Sequence, residues 1–292
     1  MQPELGLILI LVILLCMKIS DAIEGAEAQL NIVNTLLFLY FITGFFFTDE
    51  GSIFGGMYVS SPIISFEKSI LTLGTLLVSF QSRQWLTMHK HLLEFYMLLF
   101  STLMGMFYMI SSGNILMFYL GLELSTIPLA ALVNFDLEKQ RSSEGAMKLI
   151  LSSAFSSGIL LYGISMLYGS TGTLDFAALP DHLTGSSLQI MAFVFIFAGF
   201  AFKISVVPFH LWTADVYEGA PIAVTAYLSV VSKGAIVFAF LSAMYKVFYP
   251  FADIWLKILF LTSVLSMTVG NLFALRQNNL KRFLAFSTIT QA

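Results

Sequence analysis

Long apolar runs recur along the whole chain with very few charges between them. Of the 292 residues, 58% are hydrophobic and only 11% are charged. Soluble domains carry about 25% charged residues, so this chain lacks the polar surface that a water-soluble globule needs. A helix requires about 20 mostly apolar residues to cross the hydrocarbon core of a bilayer. The runs therefore predict an all-α polytopic membrane protein.

Nine runs are long enough to span a membrane, and a tenth begins before the sequence stops. The predicted spans are 4–20, 31–48, 62–81, 92–111, 114–135, 144–168, 188–212, 221–248 and 254–275, with the tenth from 281 onward. The twelve residues of this last run rise only about 18 Å as a helix, so we expect the chain to be a fragment of a longer protein. The longest linker, 169–187, is expected to hold a short interfacial helix.

The first run resembles a signal peptide in length but not in its flanks. No positive charge precedes it, and Lys18 follows it, which is the reverse of the signal-peptide pattern. We interpret it as a retained membrane helix. Cys16 is the one cysteine, which excludes a disulfide framework or an iron–sulfur cluster held by this chain alone.

The distribution of basic residues predicts the orientation. The odd-numbered linkers and their flanks carry Lys18, Arg83, Lys90, Lys139, Arg141, Arg276, Lys281 and Arg282. The even-numbered ones carry the flanking Lys68, Lys246 and Lys257 together with Asp49, Glu50, Asp175 and Asp181. Because cytoplasmic loops are enriched in Lys and Arg, the odd linkers are predicted to face the cytoplasm and the N-terminus the periplasm. The net charge of -3 gives no reason to expect a nucleic-acid partner.

Charged residues within the spans are the candidate functional residues, because each costs about 2.5–3.5 kcal/mol or more at a helix centre. Glu123 lies about 12 Å from the nearer end of the fifth span, and Lys233 lies about 18 Å from both ends of the eighth. Lys203 lies about 14 Å inside the seventh span. Pro208 follows it and is expected to break that helix, since proline has no N–H to donate.

Two further candidates are closer to polar surroundings. His210 follows Lys203 by two helical turns, beyond the expected break. Lys148 lies only four residues inside the sixth span, where it could snorkel to the cytoplasmic side or pair with Glu144 at the i−4 position. Glu67, Lys68 and Glu94 lie near span ends, and we interpret them as interfacial.

These five residues, Glu123, Lys148, Lys203, His210 and Lys233, fall in four consecutive spans. A buried lysine gives up its proton more readily, and a nearby carboxylate helps it keep the proton, so a row of such groups can relay protons. A metal-ion channel more often shows acidic rings or carbonyl filters. A different hypothesis is that the charges only hold helices together, and a Lys203 substitution would separate the two.

The residues around Lys203 carry a family resemblance. The antiporter-like membrane subunits of respiratory complex I have a central signature similar to residues 201–235, AFKISVVPFHLWTADVYEGAPIAVTAYLSVVSKGA. Within that family, PFHLWTADVYEGAP looks like the N-type subunits, whereas the L and M subunits and Mrp-type antiporters tend toward PFHTWLPDAHTEAPT. Support also comes from FYLGLELSTIPLAAL (118–132), EGAMKLILSSAFSSGILLYGISMLYGSTGT (144–173) and GNLFALRQNNLKRFLAFSTI (270–289). The resemblance covers 92–292 well and 1–91 only in general character.

The resemblance implies an antiporter-like fold with broken helices and two inverted five-helix repeats. Residues 1–91 would form three N-terminal helices, 92–248 the complete first repeat with a proton half-channel, and 249–292 the start of a largely missing second repeat. It also implies that Glu123 pairs with and tunes Lys148, and that Lys203 is the central proton carrier. Many members have His in the tenth helix where this chain has Gln291, which cannot change charge; either water carries the proton there or the position is not essential.

The function implied is proton translocation in a redox-driven NADH (or related donor)–quinone oxidoreductase of the bacterial inner membrane. His210 and Lys233 would then form the polar axis toward the second half-channel. The chain shows no GxGxxG after a strand, no P-loop and no cysteine cluster, so we expect no cofactor on it. NADH, FMN, iron–sulfur clusters and quinone are expected on partner subunits, and the other membrane subunits and the lipid bilayer are the expected partners. The alternative is a subunit of a Mrp-type cation/proton antiporter.

Overall fold

The computed structural model describes residues 1–20, 25–46 and 50–292. These residues form fourteen α-helices, one β-hairpin, one π-helical turn and one 3-10 turn. The helices are α1 (Gln2–Ser20), α2 (Ala26–Thr43), α3 (Pro62–Gln81), α4 (Arg83–Thr87), α5 (Leu92–Ile110), α6 (Ile115–Val133), α7 (Gln140–Thr171), α8 (Leu179–His182), α9 (Ser187–Ile204), α10 (Leu211–Gly219), α11 (Ile222–Tyr227), α12 (Lys233–Lys246), α13 (Ala252–Ala274) and α14 (Leu280–Thr290). The hairpin strands are β1 (Gly51–Ile53) and β2 (Tyr58–Ser60), the π turn is Leu228–Ser232, and the 3-10 turn is Tyr249–Phe251.

Eight helical stretches in the described part of the chain are long and apolar enough to cross a membrane. They are α1, α3, α5, α6, α7, α9, the continuous stretch Ile222–Lys246, and Tyr249–Ala274. This confirms the predicted all-α polytopic membrane protein. Helix α2 is not among the eight, because Glu27, Gln29 and two asparagines lower its hydropathy, so the count of nine spans stays a prediction. The end of the second predicted span, residues 47–48, and Asp49 lie outside the described residues.

Helices α5 and α6 are packed unusually closely. A Cβ atom at Gly105 of α5 would lie 2.3 Å from the backbone nitrogen of Ser125, and one at Gly121 of α6 would lie 2.5 Å from the nitrogen of Met109. Only glycine allows this approach, which is a common device where membrane helices cross. The contact fixes the position of α6, the helix that carries Glu123.

Helix α7 is longer than predicted. It runs for 32 residues, or about 48 Å, so both of its ends extend beyond the predicted span 144–168. The linker that follows contains the four-residue helix α8, which agrees with the short helix expected between residues 169 and 187.

The β-hairpin closes one end of the bundle and was not predicted from the sequence. Val59 N donates to Ser111 O at 2.8 Å, and Gly113 N donates to Met57 O at 2.8 Å. These bonds attach the hairpin to the α5–α6 loop. At the same end, the side chain of Asn114 donates to Asp175 beyond the end of α7. The start of α7 therefore lies at the opposite end of the bundle.

Candidate functional site

The seventh predicted span is broken, as Pro208 indicates. Helix α9 ends at Ile204 and α10 begins at Leu211, with Ser205 in the left-handed region at φ 71°. The backbone groups freed by the break have new partners: Val207 N donates to Ser266 Oγ at 3.0 Å, and Trp212 Nε1 donates to Phe202 O at 3.0 Å. Non-helical backbone is tolerated at membrane depth only when it is satisfied in this way.

Lys203 is the penultimate residue of α9 and points between α6 and α7. Its Nζ donates to Thr126 Oγ1 at 2.9 Å and to Ser153 Oγ at 2.6 Å. Glu123, one helical turn before Thr126, is the carboxylate that acts on it electrostatically. No direct ion pair between Lys203 and Glu123 is formed in the described structure. The lysine is thus held by neutral hydroxyls, with a carboxylate near enough to favour its charge.

Several buried polar atoms around the break have no hydrogen-bond partner among the described residues. They include Glu123 Oε1, Ser157 Oγ, Ser205 Oγ, both ring nitrogens of His210, and Thr213 Oγ1. Buried polar groups are normally satisfied by protein or by ordered water. Buried groups without a protein partner are sites where ordered water binds, and a proton relay can use such water.

His210 is buried on the far side of the break from Lys203. The Pro208 carbonyl lies near its ring, but neither nitrogen makes a hydrogen bond of standard geometry within the described chain. No hydrogen bond joins His210 to Lys203 among the described residues, so transfer between them would need an intervening group.

The structure does not contain the predicted pair between Glu123 and Lys148. Lys148 Nζ instead lies 2.6 Å from Glu144 and 2.7 Å from Asp215, and its side chain is 43% exposed. The reason is position: Lys148 is only two turns into α7 and reaches the exposed end of the bundle. Glu123 lies deeper, beside Lys203. The alternative expected from the i−4 spacing, pairing with Glu144, is present.

Asp215 and Glu218 on α10 are charged residues outside the set of candidates predicted from the sequence. Arg282 Nη1 lies 2.7 Å from Asp215 and 2.9 Å from Glu218, and Arg141 Nη1 lies 2.8 Å from Glu218. These two acids and the two arginines line a cavity of about 130 Å³. Lys148 borders the cavity through its ion pair with Asp215. The i, i+3 spacing of the two acids, which puts both on one helix face, was the available signal.

The electrostatics of Asp215 follow from this network. Burial opposes its ionisation, but the hydrogen bonds and charges of Lys148 and Arg282 outweigh burial and hold the pKa of the carboxyl below its usual value. Asp215 therefore stays ionised and joins α7, α10 and α14 at this end of the bundle.

Lys233 directly follows the π turn in the eighth predicted span. Its Nζ donates to Thr288 O of α14 at 3.4 Å, and the part of the chain described here supplies it with no carboxylate. Single π turns inside helices often occur at functional sites. The turn widens the helix where Lys233 emerges, but no hydrogen bond connects Lys233 to Lys203 among the described residues.

Lys68 is not interfacial as interpreted from the sequence. It is 3% exposed and its Nζ lies 2.5 Å from Glu4, which is fully buried. The hairpin covers the end of α3 and removes both groups from water. Within the described ranges, no group of three or more His, Cys, Asp or Glu residues is placed to hold a metal ion.

The comparisons with known proteins agree with this architecture. The family model described as NADH:quinone oxidoreductase/Mrp antiporter, transmembrane, matches residues 112–292. Among curated proteins, the chain is 57% identical over 248 residues to NADH-quinone oxidoreductase subunit N of Phocaeicola vulgatus, covering 84% of this chain and 52% of that protein. It is 47% identical to the subunit N of Azobacteroides pseudotrichonymphae, covering 100% of this chain and 62% of that protein.

Solved structures show the same fold. A chain of respiratory complex I from Thermus thermophilus with bound aureothin matches with a TM-score of 0.83 at 27% identity, covering 99% of this chain and 62% of that one. A chain of the archaeal membrane-bound sulfane sulfur reductase matches with a TM-score of 0.77 at 24% identity, covering 99% of this chain and 61% of that one, which shows the fold alone.

The broken helix, the buried lysines and the helical bundle define a polytopic membrane protein of the antiporter-like class. The chain belongs to the NADH:quinone oxidoreductase/Mrp antiporter transmembrane family. Its similarity to N subunits confirms the resemblance predicted from the PFHLWTADVYEGAP pattern. The chain spans 52% and 62% of the length of the two curated relatives.

Proposed function

We propose that the protein translocates protons as a membrane subunit of a redox-driven NADH–quinone oxidoreductase. The observation that carries this proposal is the setting of Lys203. An ammonium group in a broken membrane helix donates to two hydroxyls, 2.9 Å and 2.6 Å away, with Glu123 close by. Because no carboxylate is bonded to it directly, the proton can leave without breaking an ion pair.

The relay in this proposal consists of Glu123, Lys148, Lys203, His210 and Lys233. Lys148 lies in the charged network with Asp215, where protons enter from the exposed end of α7. Lys203 carries them within the first five-helix repeat, residues 92–248. His210 and Lys233 continue the polar axis toward residues 249–292, the beginning of the second repeat, while 1–91 supply three N-terminal helices. Water bridges the gaps between these groups.

Location and partners follow from the relatives and from the charge pattern. The protein lies in the bacterial inner membrane with its N-terminus on the periplasmic side, since the basic linkers favour the cytoplasmic side. Other membrane subunits of complex I and the lipid bilayer are its partners. The chain holds no cofactor in this proposal, and NADH, FMN, iron–sulfur clusters and quinone reside on partner subunits.

The family model also includes Mrp-type cation/proton antiporters, which would use the same lysine chemistry with an ion gradient as the driving force. The two curated relatives carry the name of the quinone oxidoreductase subunit, and the Thermus structure is a respiratory complex I. Both findings favour the redox-linked function.

The test uses the full-length protein in its assembled complex, in sealed membrane vesicles. Wild type is compared with Lys203→Ala while donor oxidation and proton uptake are followed together. We expect both rates to fall at least tenfold, about 1.4 kcal/mol or more in barrier height, because the carrier is lost. The matched control is Lys257→Ala, which removes an exposed lysine of α13.

The amount of assembled complex is measured by native gel for each variant, and rates are normalised to it. If Lys203→Ala oxidises donor and takes up protons at the wild-type rate, the lysine is structural and the proposal is wrong. If a sodium gradient, rather than donor oxidation, drives proton uptake in wild-type vesicles, the antiporter alternative is correct.

A further inference from the structure

A buried ion pair lies in the three N-terminal helices, away from the relay described above. Lys68 of α3 donates to Glu4 Oε1 of α1 at 2.5 Å. Tyr58 of β2 donates to Glu4 Oε2 at 2.8 Å and accepts from Lys68 at 3.1 Å. Their exposed fractions are 3%, 0% and 1%, respectively. These three side chains are called the triad below.

The surroundings of the triad are mostly aromatic. The Phe107 ring centroid lies 5.6 Å from Lys68 Nζ. Four titratable groups act electrostatically on the triad. The α-amino group of Met1 lies 4.0 Å from Glu4, the phenols of Tyr40 and Tyr108 interact with the Glu4 charge, and the Glu67 carboxylate interacts with Lys68. Removing one member of such a buried pair is costly because its partner is left as an uncompensated charge. The pair therefore has a structural role in addition to any functional one.

A row of buried hydroxyls on α3 leads away from the triad. It consists of Ser65, Ser69, Thr72, Thr75 and Ser79, each no more than 6% exposed, and is called the hydroxyl stripe. Spacings of three and four residues put all five on one helix face, over about 21 Å of rise. Ser69, Thr72 and Thr75 donate to the carbonyl four residues back, which leaves their oxygens able to accept a proton.

The hydroxyl stripe continues into polar groups on other helices. Tyr227 OH lies beside Thr75 and hydrogen-bonds with Thr102 Oγ1 at 2.7 Å. At the far end, Ser79 bonds with Asn34 and with Tyr96.

Tyr227 directly precedes the π turn that leads to Lys233. Leu71 of α3 also packs against Gly234. The hydroxyl stripe therefore runs from the segment carrying Lys233 to the triad, with buried polar groups along the way.

We propose that the triad is a second proton-exchange site, connected by the hydroxyl stripe to the Tyr227–Lys233 segment. In the step proposed, the Lys68 ammonium gives its proton to the Glu4 carboxylate, leaving a neutral amine and a neutral acid. Glu4 then releases that proton, through Tyr58, toward the end of the bundle closed by the hairpin. Lys68 takes a new proton from the hydroxyl stripe and restores the ion pair, so one proton passes and no electron moves.

The chemistry suits the location. In a low-dielectric interior the charged and neutral forms of a lysine–carboxylate pair come close in free energy, since burial opposes both charges. Burial, followed by the Glu4 charge, raises the pKa of the Tyr58 phenol, so Tyr58 passes a proton as a neutral hydroxyl. The site lies at the end of the bundle opposite Lys148 and Asp215, where a translocated proton would leave. This inference rests on the proposed proton translocation.

The test separates proton exchange from a structural clamp. Lys68→Met alone leaves Glu4 unpaired, but the double variant Glu4→Gln with Lys68→Met removes both charges at similar volume, a change that buried pairs often tolerate. In the full-length assembled complex in sealed vesicles, we expect the double variant to assemble and yet take up protons at least tenfold more slowly than wild type. The matched control is Lys18→Met with Glu94→Gln, the same double change at a more exposed pair.

A second variant keeps the test decisive if the double variant does not assemble. Thr75→Val is nearly isosteric, leaves the ion pair intact and interrupts the hydroxyl stripe, and we expect it to lower proton uptake about threefold. Wild-type uptake in either variant would overturn the proposal and leave the triad as a clamp between α1 and α3. Since Lys203→Ala is measured in the same vesicles, loss of uptake in that variant alone would retain the proposed function and reject the second site.

Discussion

Lys203 and Lys68 are both lysines in apolar helices, but the protein holds them in opposite ways. Lys203 donates to two neutral hydroxyls and has Glu123 nearby without a direct bond to it. Lys68 is bonded directly to a fully buried carboxylate and to a tyrosine. The surroundings differ accordingly: unpartnered polar atoms cluster around the break beside Lys203, whereas the atoms of Lys68, Glu4 and Tyr58 all have partners.

This difference separates two uses of a buried charge. A lysine that donates only to neutral hydroxyls has no ion pair to break, so its proton can leave and return with little structural cost. A lysine held by a carboxylate is part of the structure as well, because removing either partner leaves a buried charge without compensation. We therefore expect Lys203 to matter more for transport than for stability, and Lys68 to matter for both.

The largest expected effect is on stability. Lys68→Ala should lower the free energy of unfolding by about 3–5 kcal/mol, since Glu4 is left as a buried charge without its partner. Lys203→Ala should lower it by no more than about 2 kcal/mol, because water can replace the ammonium between Thr126 and Ser153. Unfolding of the purified full-length subunit by SDS in mixed micelles measures both. Equal losses in the two variants would show that the two lysines are held alike.

The sequence predicts the environment of Lys203 better than that of Lys68, for a physical reason. The depth of Lys203 and the break at Pro208 are local properties, readable from span length and from the missing N–H of proline. The burial of Lys68 depends on Glu4, 64 residues away, and on a hairpin whose GSIFGGMYVS sequence has no alternating strand pattern. The burial of Lys68 is determined by tertiary contacts and not by its distance from the end of a span.

The ion pairs of Lys148 show the same limit of prediction from sequence. The i−4 position of Glu144 predicted one partner of Lys148 correctly, because helix geometry fixes it. Asp215, the other partner, comes from α10, whose direction is set by the break at 205–210. No spacing rule relates residues on either side of a non-helical segment, so the pairing of Lys148 with Asp215 instead of Glu123 could only be seen in the structure.

A smaller effect is expected at Tyr58. Tyr58→Phe removes a hydrogen bond from a phenol to a buried carboxylate, and bonds to charged groups are worth about 1.5–3 kcal/mol. Tyr40→Phe is the matched control, since its hydroxyl donates to the neutral Pro3 carbonyl, which is worth about 1 kcal/mol. The same unfolding measurement compares them. A loss at Tyr58 no greater than at Tyr40 would mean that Glu4 does not carry its charge there.

At Lys203 the hydroxyl partners can be removed one at a time. Ser153→Ala deletes the oxygen 2.6 Å from Lys203 Nζ, a change worth about 1 kcal/mol or more, and should slow proton uptake by the assembled complex about fivefold with little loss of stability. Ser125→Ala is the control, because Ser125 is also buried but donates to a backbone carbonyl. Equal rates in the two variants would show that the hydroxyl contact does not position Lys203 for transfer.

The smallest expected effect concerns the ion pairs at the exposed end of α7, and it depends on pH. The folded protein holds the pKa of Asp215 below its usual value, so its pairs with Lys148 and Arg282 stabilise the fold above the unfolded pKa of about 3.9. That contribution is lost as pH falls through the lowered pKa. Because the pairs are partly exposed, it should be about 1 kcal/mol or less.

Asp215→Asn should therefore be slightly less stable than wild type at neutral pH, and the difference should shrink at about 0.5 M salt, where the screening length is short. At a pH below the lowered pKa of Asp215 the two proteins should converge, since wild-type Asp215 is then protonated. Unfolding of both proteins in the same detergent at the two pH values measures this. A difference that persists unchanged at low pH would assign the role of Asp215 to hydrogen bonding and not to charge. The ion pairs of Asp215 and the buried Glu4–Lys68 pair would then differ in geometry and not in electrostatics.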